Sequence, residues 1–409
     1  MIKIVQIQFS NMSAGSSAHR LHAGFSESST LDSSGVSLCR DHVSHTDFIY
    51  LNKFARLKAL INCKIENIKY KYDSRKFGLF SYPILGTNIS TIKNIQDSDA
   101  IYIHWVQMGF LNFESFESLF TLNKKIFFVL HDMWFMTGGC HYSMDCKLFT
   151  ENCQSCPIFP NDPSIAASQH STKTRLISKY GHRLIFITPS NWLKSLALNS
   201  SLLKNHNIQF IPNYFKSVNF RKGSKSESRE IFSIDSDKKV ICFGAVNISS
   251  VYKGWKFLKD AFRYLNEMYP YDAVEVVIFG NGNLVEFQNS IKFKIHYLGF
   301  LDDEELIAHV YKCSDVFVIP SILDNQPTTI VESMNCGVPV VGFDLCGIPE
   351  MIEHKTTGYI AEAYNSKDLA NGIHYCLENV LDVKLKDEYK PENVLLAHYN
   401  LLKLDAIDL

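Results

Sequence analysis

Residues 319–341 read IPSILDNQPTTIVESMNCGVPVV, and this stretch predicts a strand end, a loop, a helix and a second strand. The first strand ends at Pro320, and the helix begins near Pro327 because proline suits the first helical turn. The exposed amides of that turn offer a site for a phosphate or another negative oxygen. Asp324 in the loop and Glu332 in the helix are carboxylates suited to binding ribose and sugar hydroxyls. The stretch therefore predicts a ligand site at a strand end.

Outward from this stretch, short apolar strands alternate with helical patterns, which is typical of βαβ units and parallel sheets. The predicted strands of the first half are Ile2–Phe9, Ala100–Ile103, Ile126–Leu130, Leu184–Thr188 and Ile208–Ile211. Those of the second half are Val240–Phe243, Val274–Phe279, Ile295–Leu298, Val316–Ile319 and Val338–Phe343. We therefore expect an α/β fold of two doubly wound, Rossmann-like domains that face each other across a cleft.

The predicted domain boundaries follow the same pattern. Residues 1–214 form the first domain, 215–239 a linker and 240–385 the second domain, and the linker contains a polar run, Arg221–Ser228, with no apolar period. Residues 386–409 include a helical stripe of apolar residues, and we expect this helix to pack back on the first domain.

Composition restricts the classes of function. The chain has 409 residues, which corresponds to about two domains. Its 41 Lys and Arg oppose 42 Asp and Glu, so the net charge of −1 provides no general field for binding nucleic acid. No run reaches the roughly 18 apolar residues of a transmembrane helix. Most of the 11 cysteines stand singly among apolar residues, which favours free thiols and a reducing cytoplasm.

The stretch at 319–341 resembles the retaining GT-B glycosyltransferases of group 1, glycosyltransferase family 4, whose hallmark is a Glu-x7-Glu motif followed by a small-Gly-x-Pro-Val-Val turn. The chain is most similar to the colanic-acid and O-antigen biosynthesis type, and Cys346–Ile352 and Thr357–Ala361 continue the pattern. The resemblance implies that Glu332 binds the nucleotide ribose and that Asp324, one methylene shorter than the family's Glu, contacts the donor sugar. On its own, Glu332 fits a solvated helix position equally well.

The same resemblance implies a donor-binding set. Its residues are Gly15, Lys253, Gly280, Asn325, Thr328, Thr329 and Glu332. Lys253 precedes a predicted helix, Trp255–Met268, where a lysine neutralises a diphosphate. Gly15 would let backbone approach a donor phosphate, and Gly280 corresponds to the loop around the nucleotide base. Taken singly, such a lysine is more often solvated, and such glycines more often make turns.

Two histidines, His104 and His131, follow predicted strand ends in the first domain. The resemblance places His131 near the donor's anomeric carbon and the acceptor. The catalytic candidates are therefore His131, Asp324 and Glu332. His104, Trp105 and Trp134 are the acceptor-binding candidates, because indole surfaces stack on sugars. Without the family pattern, these histidines and tryptophans fit core positions equally well.

Four cysteines lie in one loop with the spacing C-x5-C-x6-C-x2-C. They are Cys140, Cys146, Cys153 and Cys156. They predict a structural zinc site, with His141 as a spare ligand, although free thiols or disulfides also fit because only the last pair has standard spacing. Two Asp-Ser-Asp runs, at 97–99 and 235–237, precede strands and read as turns, so we expect no cofactor in catalysis.

Residues 51–78 carry eight positive and two negative side chains, a net charge of +6. The positive residues are Lys53, Arg56, Lys58, Lys64, Lys69, Lys71, Arg75 and Lys76. The interleaved apolar residues are Phe54, Leu57, Leu60, Ile61, Ile65 and Ile68. This segment predicts either a peripheral membrane contact or a solvated helix face.

The sequence thus predicts transfer of a sugar, with retention of configuration, from a nucleoside-diphosphate sugar to a glycan or lipid-linked glycan of a bacterial surface polysaccharide. We expect the protein in the cytoplasm or at the inner face of the cytoplasmic membrane. One alternative is a nucleotide-sugar epimerase on a similar fold. Another is a non-catalytic GT-B scaffold, suggested by Asp324 and by Ala245 where many relatives carry Arg.

Overall fold

The structure is a computed structural model that describes residues 1–10, 14–39, 47–248, 250–282 and 291–403. The chain divides into two compact units. The first unit comprises Met1–Lys216 with the C-terminal segment from Pro391, and the second comprises Ser217–Lys390. The predicted loop residues Asn11–Ser13 lie outside the described residues.

The first unit is built on a sheet of parallel strands. Within the described residues these are β1 Ile2–Gln8, β2 Leu31–Ser37, β3 Phe48–Tyr50, β4 Ala100–Ile103, β5 Lys125–Val129, β6 Leu184–Thr188 and β7 Asn207–Phe210. Their order is β3-β2-β1-β4-β5-β6-β7, so the winding reverses between β1 and β4. Both faces are buried, since Ile101 and Ile103 enter one apolar cluster while Ala100 and Tyr102 enter another.

The second unit repeats this plan. Its described strands are β8 Lys239–Asn247, β9 Val274–Asn281, β10 Lys294–Tyr297, β11 Val316–Ile319, β12 Val340–Phe343 and β13 Gly358–Ala361. All pairs are parallel, and the order β10-β9-β8-β11-β12-β13 reverses between β8 and β11. The two sheets confirm the predicted α/β fold with two doubly wound domains.

Helices connect the strands of both sheets. In the first unit they are α1 Ala14–Ser26, α2 Lys53–Lys69, α3 Ser74–Phe77, α4 Lys93–Asp97, α5 Phe113–Phe120, α6 Ser164–Tyr180 and α7 Asn191–Asn199. The second unit has α8 Lys225–Ile231, α9 Trp255–Met268, α10 Glu304–Cys313, α11 Thr328–Asn335, α12 Ile348–Met351 and α13 Ser366–Glu378. The predicted helix Trp255–Met268 has the expected bounds, because its buried residues recur at helical spacing against the core.

Three strands, β2, β3 and β13, escape prediction from the apolar pattern. β2 reads LDSSGVS and contains only Leu31 and Val36 as large apolar residues. It pairs with β1 along its whole length, from Ile2 opposite Leu31 to Gln8 opposite Ser37. Backbone pairing to a buried neighbour, rather than side-chain periodicity, therefore defines this strand.

The segment predicted as a linker includes a packed helix of the second unit. Arg229 on α8 is buried, and its guanidinium donates hydrogen bonds to the carbonyl oxygens of Cys313 and Ser236 and to the carboxylate of Asp315. The Arg229 to Asp315 bond is 2.8 Å long. The polar residues of this segment therefore attach it to the second unit through hydrogen bonds, whereas an apolar stripe is not needed.

The C-terminal helix, α14 Pro391–Lys403, belongs to the first unit. Val394, Leu401 and Leu402 join an apolar cluster with residues of the first sheet. His398 on the same helix is buried, and its Nδ1 atom lies 3.3 Å from the hydroxyl oxygen of Tyr102. Burial lowers the pKa of His398 to about 3, so the fold favours its neutral form.

We expect His398 to make the protein less stable in acid. An unfolded histidine titrates near 6.5, so the unfolded chain binds more protons between about pH 6.5 and pH 3. The stabilising contribution is therefore complete above pH 6.5 and is lost as the pH falls towards 3. His398→Gln, which keeps a polar group beside Tyr102, should reduce the loss of unfolding free energy between pH 7 and pH 5 by about 2 kcal/mol.

Urea unfolding of the wild type and the variant at both pH values measures this difference. The matched control is His182→Gln, because His182 is an exposed histidine of the same unit. That control should retain the wild-type pH dependence. Equal pH dependence in wild type and His398→Gln would show that His398 does not titrate as its burial requires.

Candidate functional site

In the second unit, two candidate residues meet where the strand order reverses. Lys253 follows β8 and Asp324 follows β11, and these are the two strands on either side of the reversal. The Lys253 Nζ atom lies 2.6 Å from Asp324 Oδ2. Ligands of doubly wound sheets bind beyond the carboxyl ends of the strands at this point. The structure thus places a cation and a carboxylate together at a ligand-binding position of the sheet.

The backbone beside Lys253 is held close to the loop after β11. Gly254 adopts φ +70°, and a Cβ atom there would lie 1.7 Å from the carbonyl oxygen of Pro320. The N–H of Ile322 donates a hydrogen bond of 2.8 Å to the carbonyl oxygen of Tyr252. Only glycine permits both this left-handed backbone and this close approach. Gly254 therefore fixes the position from which Lys253 reaches Asp324.

We expect Gly254→Ala to destabilise the second unit by about 3 kcal/mol, from left-handed strain together with the steric clash. Gly299→Ala separates these two causes. Gly299 also has a positive φ, +67°, but a Cβ atom there would meet nothing within 4 Å. The control should therefore lose only about 1–2 kcal/mol. Chemical denaturation measures both values, and equal losses would show that the contact with Pro320 is not restrictive.

Glu332 lies in a second, more buried cluster of the second unit. The hydroxyl of Tyr311, on α10, donates a hydrogen bond of 3.0 Å to Glu332 Oε2. Burial, followed by the neighbouring Glu332 charge, raises the pKa of Tyr311 well above its ordinary value, so the phenol stays a donor. Tyr311 orients the carboxylate. The sequence gives no sign of this role, because Tyr311 occupies a buried position in the apolar pattern of its helix.

The other donor candidates of this unit surround the same strand ends. Gly280 is at the end of β9, has φ +120°, and would place a Cβ atom 1.7 Å from the Ala245 carbonyl oxygen. Asn325 is buried in the loop after Asp324. Thr328 and Thr329 are the first two residues of α11, so their amides lie at a helix N-terminus, a position that favours a negatively charged ligand.

In the first unit, the buried side chains of Gln6 and His104 and the half-buried side chain of His131 form a chain of hydrogen bonds. His104 Nε2 lies 2.6 Å from Gln6 Oε1, and His104 Nδ1 lies 3.0 Å from His131 Nε2. Because an amide oxygen only accepts, His104 Nε2 is the donor and its neutral ring accepts at Nδ1 from His131. Burial lowers the pKa of His131 to about 4 and that of His104 well below its usual range. The network therefore holds two neutral imidazoles.

A second polar cluster, which the sequence analysis does not single out, lies beside these histidines. Asp132 Oδ2 accepts from His141 Nδ1 at 2.6 Å and from Trp105 Nε1 at 2.9 Å. Burial alone would raise the pKa of Asp132, but His141 and the Trp134 and Trp105 N–H groups lower it. His104, Trp105, His131 and Asp132 line one small pocket. In the sequence, the position of Asp132 shortly after the end of β5 is the feature that indicates a role at this site.

The two remaining first-unit candidates are Trp134 and Gly15. Trp134 is fully buried, and its indole N–H donates a 3.0 Å hydrogen bond to the Ser81 carbonyl oxygen. It is thus a core residue and presents no open stacking face in this structure. Gly15 lies near the start of α1.

The cysteine loop does not form a zinc ligand set as its side chains are placed. Among the residues that the structure describes, no group of three or more His, Cys, Asp or Glu side chains is positioned to hold a metal ion. Cys140, Cys146, Cys153 and Cys156 are free thiols. Burial raises the pKa of Cys153 to about 11, which disfavours a thiolate. Metal analysis of the purified protein tests the zinc prediction.

Comparison with known proteins adds to this geometry. Residues 237–379 match the family model for group 1 glycosyl transferases. The match supports a group 1 glycosyltransferase. A relative from Campylobacter jejuni, N,N'-diacetylbacillosaminyl-diphospho-undecaprenol alpha-1,3-N-acetylgalactosaminyltransferase, is 28% identical over 50% of this chain and 54% of its own length. An Escherichia coli UDP-Gal:alpha-D-GlcNAc-diphosphoundecaprenol alpha-1,3-galactosyltransferase is 24% identical over 36% of this chain and 38% of its length.

Solved structures show the same fold over nearly the full chain. Anabaena HepE in complex with UDP-glucose has a TM-score of 0.61 and 15% identity, covering 100% of this chain and 96% of that one. The lipopolysaccharide glycosyltransferase WaaG has a TM-score of 0.59 and 10% identity, covering 98% and 96%. The fold is GT-B. The chain spans about half, or less, of the length of the curated relatives it matches first.

Proposed function

We propose that this protein transfers a sugar from a nucleoside-diphosphate sugar to a glycan or lipid-linked glycan, with retention of anomeric configuration, in bacterial surface polysaccharide biosynthesis. The observation that carries the proposal is the Lys253 to Asp324 pair at the strand reversal of the second sheet. A cation there neutralises a diphosphate, and a carboxylate binds sugar hydroxyls.

The pairing of Lys253 with Asp324 suggests how the donor is taken up. In the proposed complex the diphosphate replaces Asp324 as the partner of Lys253. The released carboxylate is then available to accept hydrogen bonds from the donor sugar. As the bond from sugar to diphosphate breaks, negative charge grows on the leaving oxygens, and Lys253 and the first amides of α11 stabilise that charge. Glu332, oriented by Tyr311, accepts hydrogen bonds from the ribose hydroxyls.

The first unit supplies the acceptor side of the proposal. His131 orients the reacting groups through its neutral imidazole, while Gln6 and His104 set its tautomer. Trp105, which is half-buried, contacts the acceptor, whereas His104 is buried and acts through His131. Two relatives are named for undecaprenol-linked acceptors, which supports a lipid-linked glycan as the acceptor class here. We place the reaction at the inner face of the cytoplasmic membrane.

A donor screen tests the proposal. Purified protein is titrated calorimetrically with UDP-, GDP- and dTDP-sugars, and the best donor is then incubated with polyprenyl-diphosphate-linked sugars. We expect one nucleotide class to bind and its sugar to appear in the lipid fraction. Conversion of the donor to its epimer without an acceptor would favour the epimerase alternative. Absence of binding by every donor would favour the non-catalytic scaffold.

A further inference from the structure

Helix α2, Lys53–Lys69, has apolar residues on two opposite sides. The side that faces the first unit's core carries the buried residues Ala55, Ala59 and Asn62. Apart from the half-buried Ile65, the large apolar side chains are instead exposed. They are Phe54, Leu57, Leu60, Ile61 and Ile68, hereafter the α2 stripe. Phe54 is 69% exposed and Ile68 is 73% exposed, so these side chains face solvent rather than the core.

The helical repeat shows that the α2 stripe is continuous. With about 100° of rotation per residue, Phe54, Leu57, Ile61 and Ile68 fall within an arc of roughly 60°, and Leu60 widens it to about 120°. Ala55 and Ala59 lie on the other side of the helix, each about 160° from the centre of the stripe. The α2 stripe is therefore one apolar surface directed away from the core.

Hydrogen bonds fix the helix in this orientation. Asn62 Oδ1 accepts from the Leu85 N–H at 2.8 Å, and Glu66 Oε1 accepts from the Tyr82 N–H at 2.6 Å. Arg56 Nε donates to the Leu38 carbonyl oxygen at 3.2 Å. Rolling the helix to bury the stripe would break all three bonds. The apolar exposure is thus a stable feature of the packed helix.

Charge identifies the kind of partner that this surface fits. Lys53, Lys58, Lys64 and Lys69 are exposed on the same helix, and Lys64 falls within the arc of the α2 stripe. Lysine is depleted from the cores of protein–protein interfaces, whereas helices that lie in a membrane interface combine large apolar residues with lysines. The lysine stems add apolar surface while their ammonium groups reach the lipid phosphates.

We propose that the α2 stripe docks this protein on an anionic phospholipid bilayer, with helix α2 lying in the plane of the interface. The charge complementarity is between the exposed lysines and anionic headgroups. Among the described residues, no helix is long and apolar enough to cross a bilayer. The docking rests on the first unit alone and stands apart from the proposed donor chemistry of the second.

Vesicle co-sedimentation of the full chain tests the docking. Vesicles of phosphatidylcholine alone are compared with vesicles containing about 30 mol % phosphatidylglycerol, at about 0.05 M salt. We expect at least about tenfold stronger binding to the anionic vesicles. A triple variant, Phe54→Ser, Leu57→Ser and Ile68→Ser, should lose about tenfold or more of that binding. Lys58→Glu with Lys64→Glu should abolish the preference for anionic lipid.

The matched control exchanges equally exposed apolar residues of the second unit, Val218→Ser, Tyr271→Ser and Val380→Ser, and should bind as wild type does. Unchanged thermal unfolding and donor titration show that each variant is folded. Absence of wild-type binding, undiminished binding by the triple variant, or equal binding to both vesicle types overturns the proposal. So does self-association that the triple variant abolishes, which would make the stripe a contact between copies. Normal donor binding without vesicle binding defeats the docking alone.

Discussion

We expect replacement of Lys253 by alanine to lower kcat/KM for sugar transfer by about 10²–10³-fold. The Lys253 ammonium lies 2.6 Å from Asp324, at the strand reversal where the donor diphosphate is proposed to bind. Because negative charge on the diphosphate increases as the sugar leaves, the lost interaction is stronger in the transition state than in the bound donor. The variant should therefore lose kcat as well as donor affinity. Initial rates measured over a range of donor concentrations separate the two.

Lys256→Ala is the matched control for this prediction. Lys256 lies on α9, three residues further along the chain, and is exposed. It removes the same charge without touching Asp324, so its kinetics should remain close to wild type. Lys253→Arg keeps the charge but changes its geometry, and should retain more activity than alanine does. Equal activity of Lys253→Ala and Lys256→Ala would remove Lys253 from the donor site.

His131→Ala should lower kcat by about 10²-fold, because the imidazole is proposed to orient the reacting groups. Burial lowers the pKa of His131 to about 4. The neutral ring therefore persists from pH 8 down to about pH 5, and the activity that depends on it falls only as the pH approaches 4. We expect no histidine titration near pH 6.5 in the wild-type rate profile.

Exposed His182 supplies the control, and His182→Ala should leave the pH–rate profile unchanged. His104→Asn tests the positioning network, since it removes the ring that fixes the tautomer of His131. That variant should reduce kcat with little change in donor KM. A wild-type activity loss near pH 6.5 that His131→Ala abolishes would contradict the neutral, buried histidine.

Apolar runs predict most of the sheet scaffold. Buried parallel strands such as Ala100–Ile103 and Val316–Ile319 are continuous apolar segments with both faces covered, and their bounds agree with prediction. β2 fails this test, since its polar sequence becomes a strand only by pairing with β1. When a strand forms because it pairs with a strand distant in sequence, its own residues show little apolar pattern from which it could be predicted.

The candidate site likewise contains some residues that the sequence predicts and others that it does not. The family resemblance implies donor-binding roles for Lys253 and Asp324, and the structure joins them in one ion pair. Tyr311 reaches Glu332 from another helix, and His141 reaches Asp132 from nine residues away. These contacts depend on how separate elements pack, so residue type and spacing do not reveal them. The sequence leaves Trp134 equally compatible with a sugar-stacking surface and with a core position, and the structure places it in the core.

Helix α2 illustrates a limit of periodicity. Its large apolar residues recur at helical spacing, which ordinarily marks the side that packs on a core. In the structure, small residues Ala55 and Ala59 face the core, and the large ones face solvent. Close approach at Gly109, where a Cβ atom would lie 2.6 Å from the Asn62 Cβ, explains why only small side chains fit inside. The sequence therefore predicts the amphipathic surface but not its direction.

The most direct test is the anomeric configuration of the product. Purified protein is incubated with its best nucleoside-diphosphate sugar and a polyprenyl-diphosphate-linked acceptor, and the new glycosidic bond is analysed by NMR. Retaining transfer predicts that an α-linked donor yields an α-linked product, and that Lys253→Ala yields little of it. A β-linked product from the same donor, or transfer that is unchanged in Lys253→Ala, would contradict the proposed function.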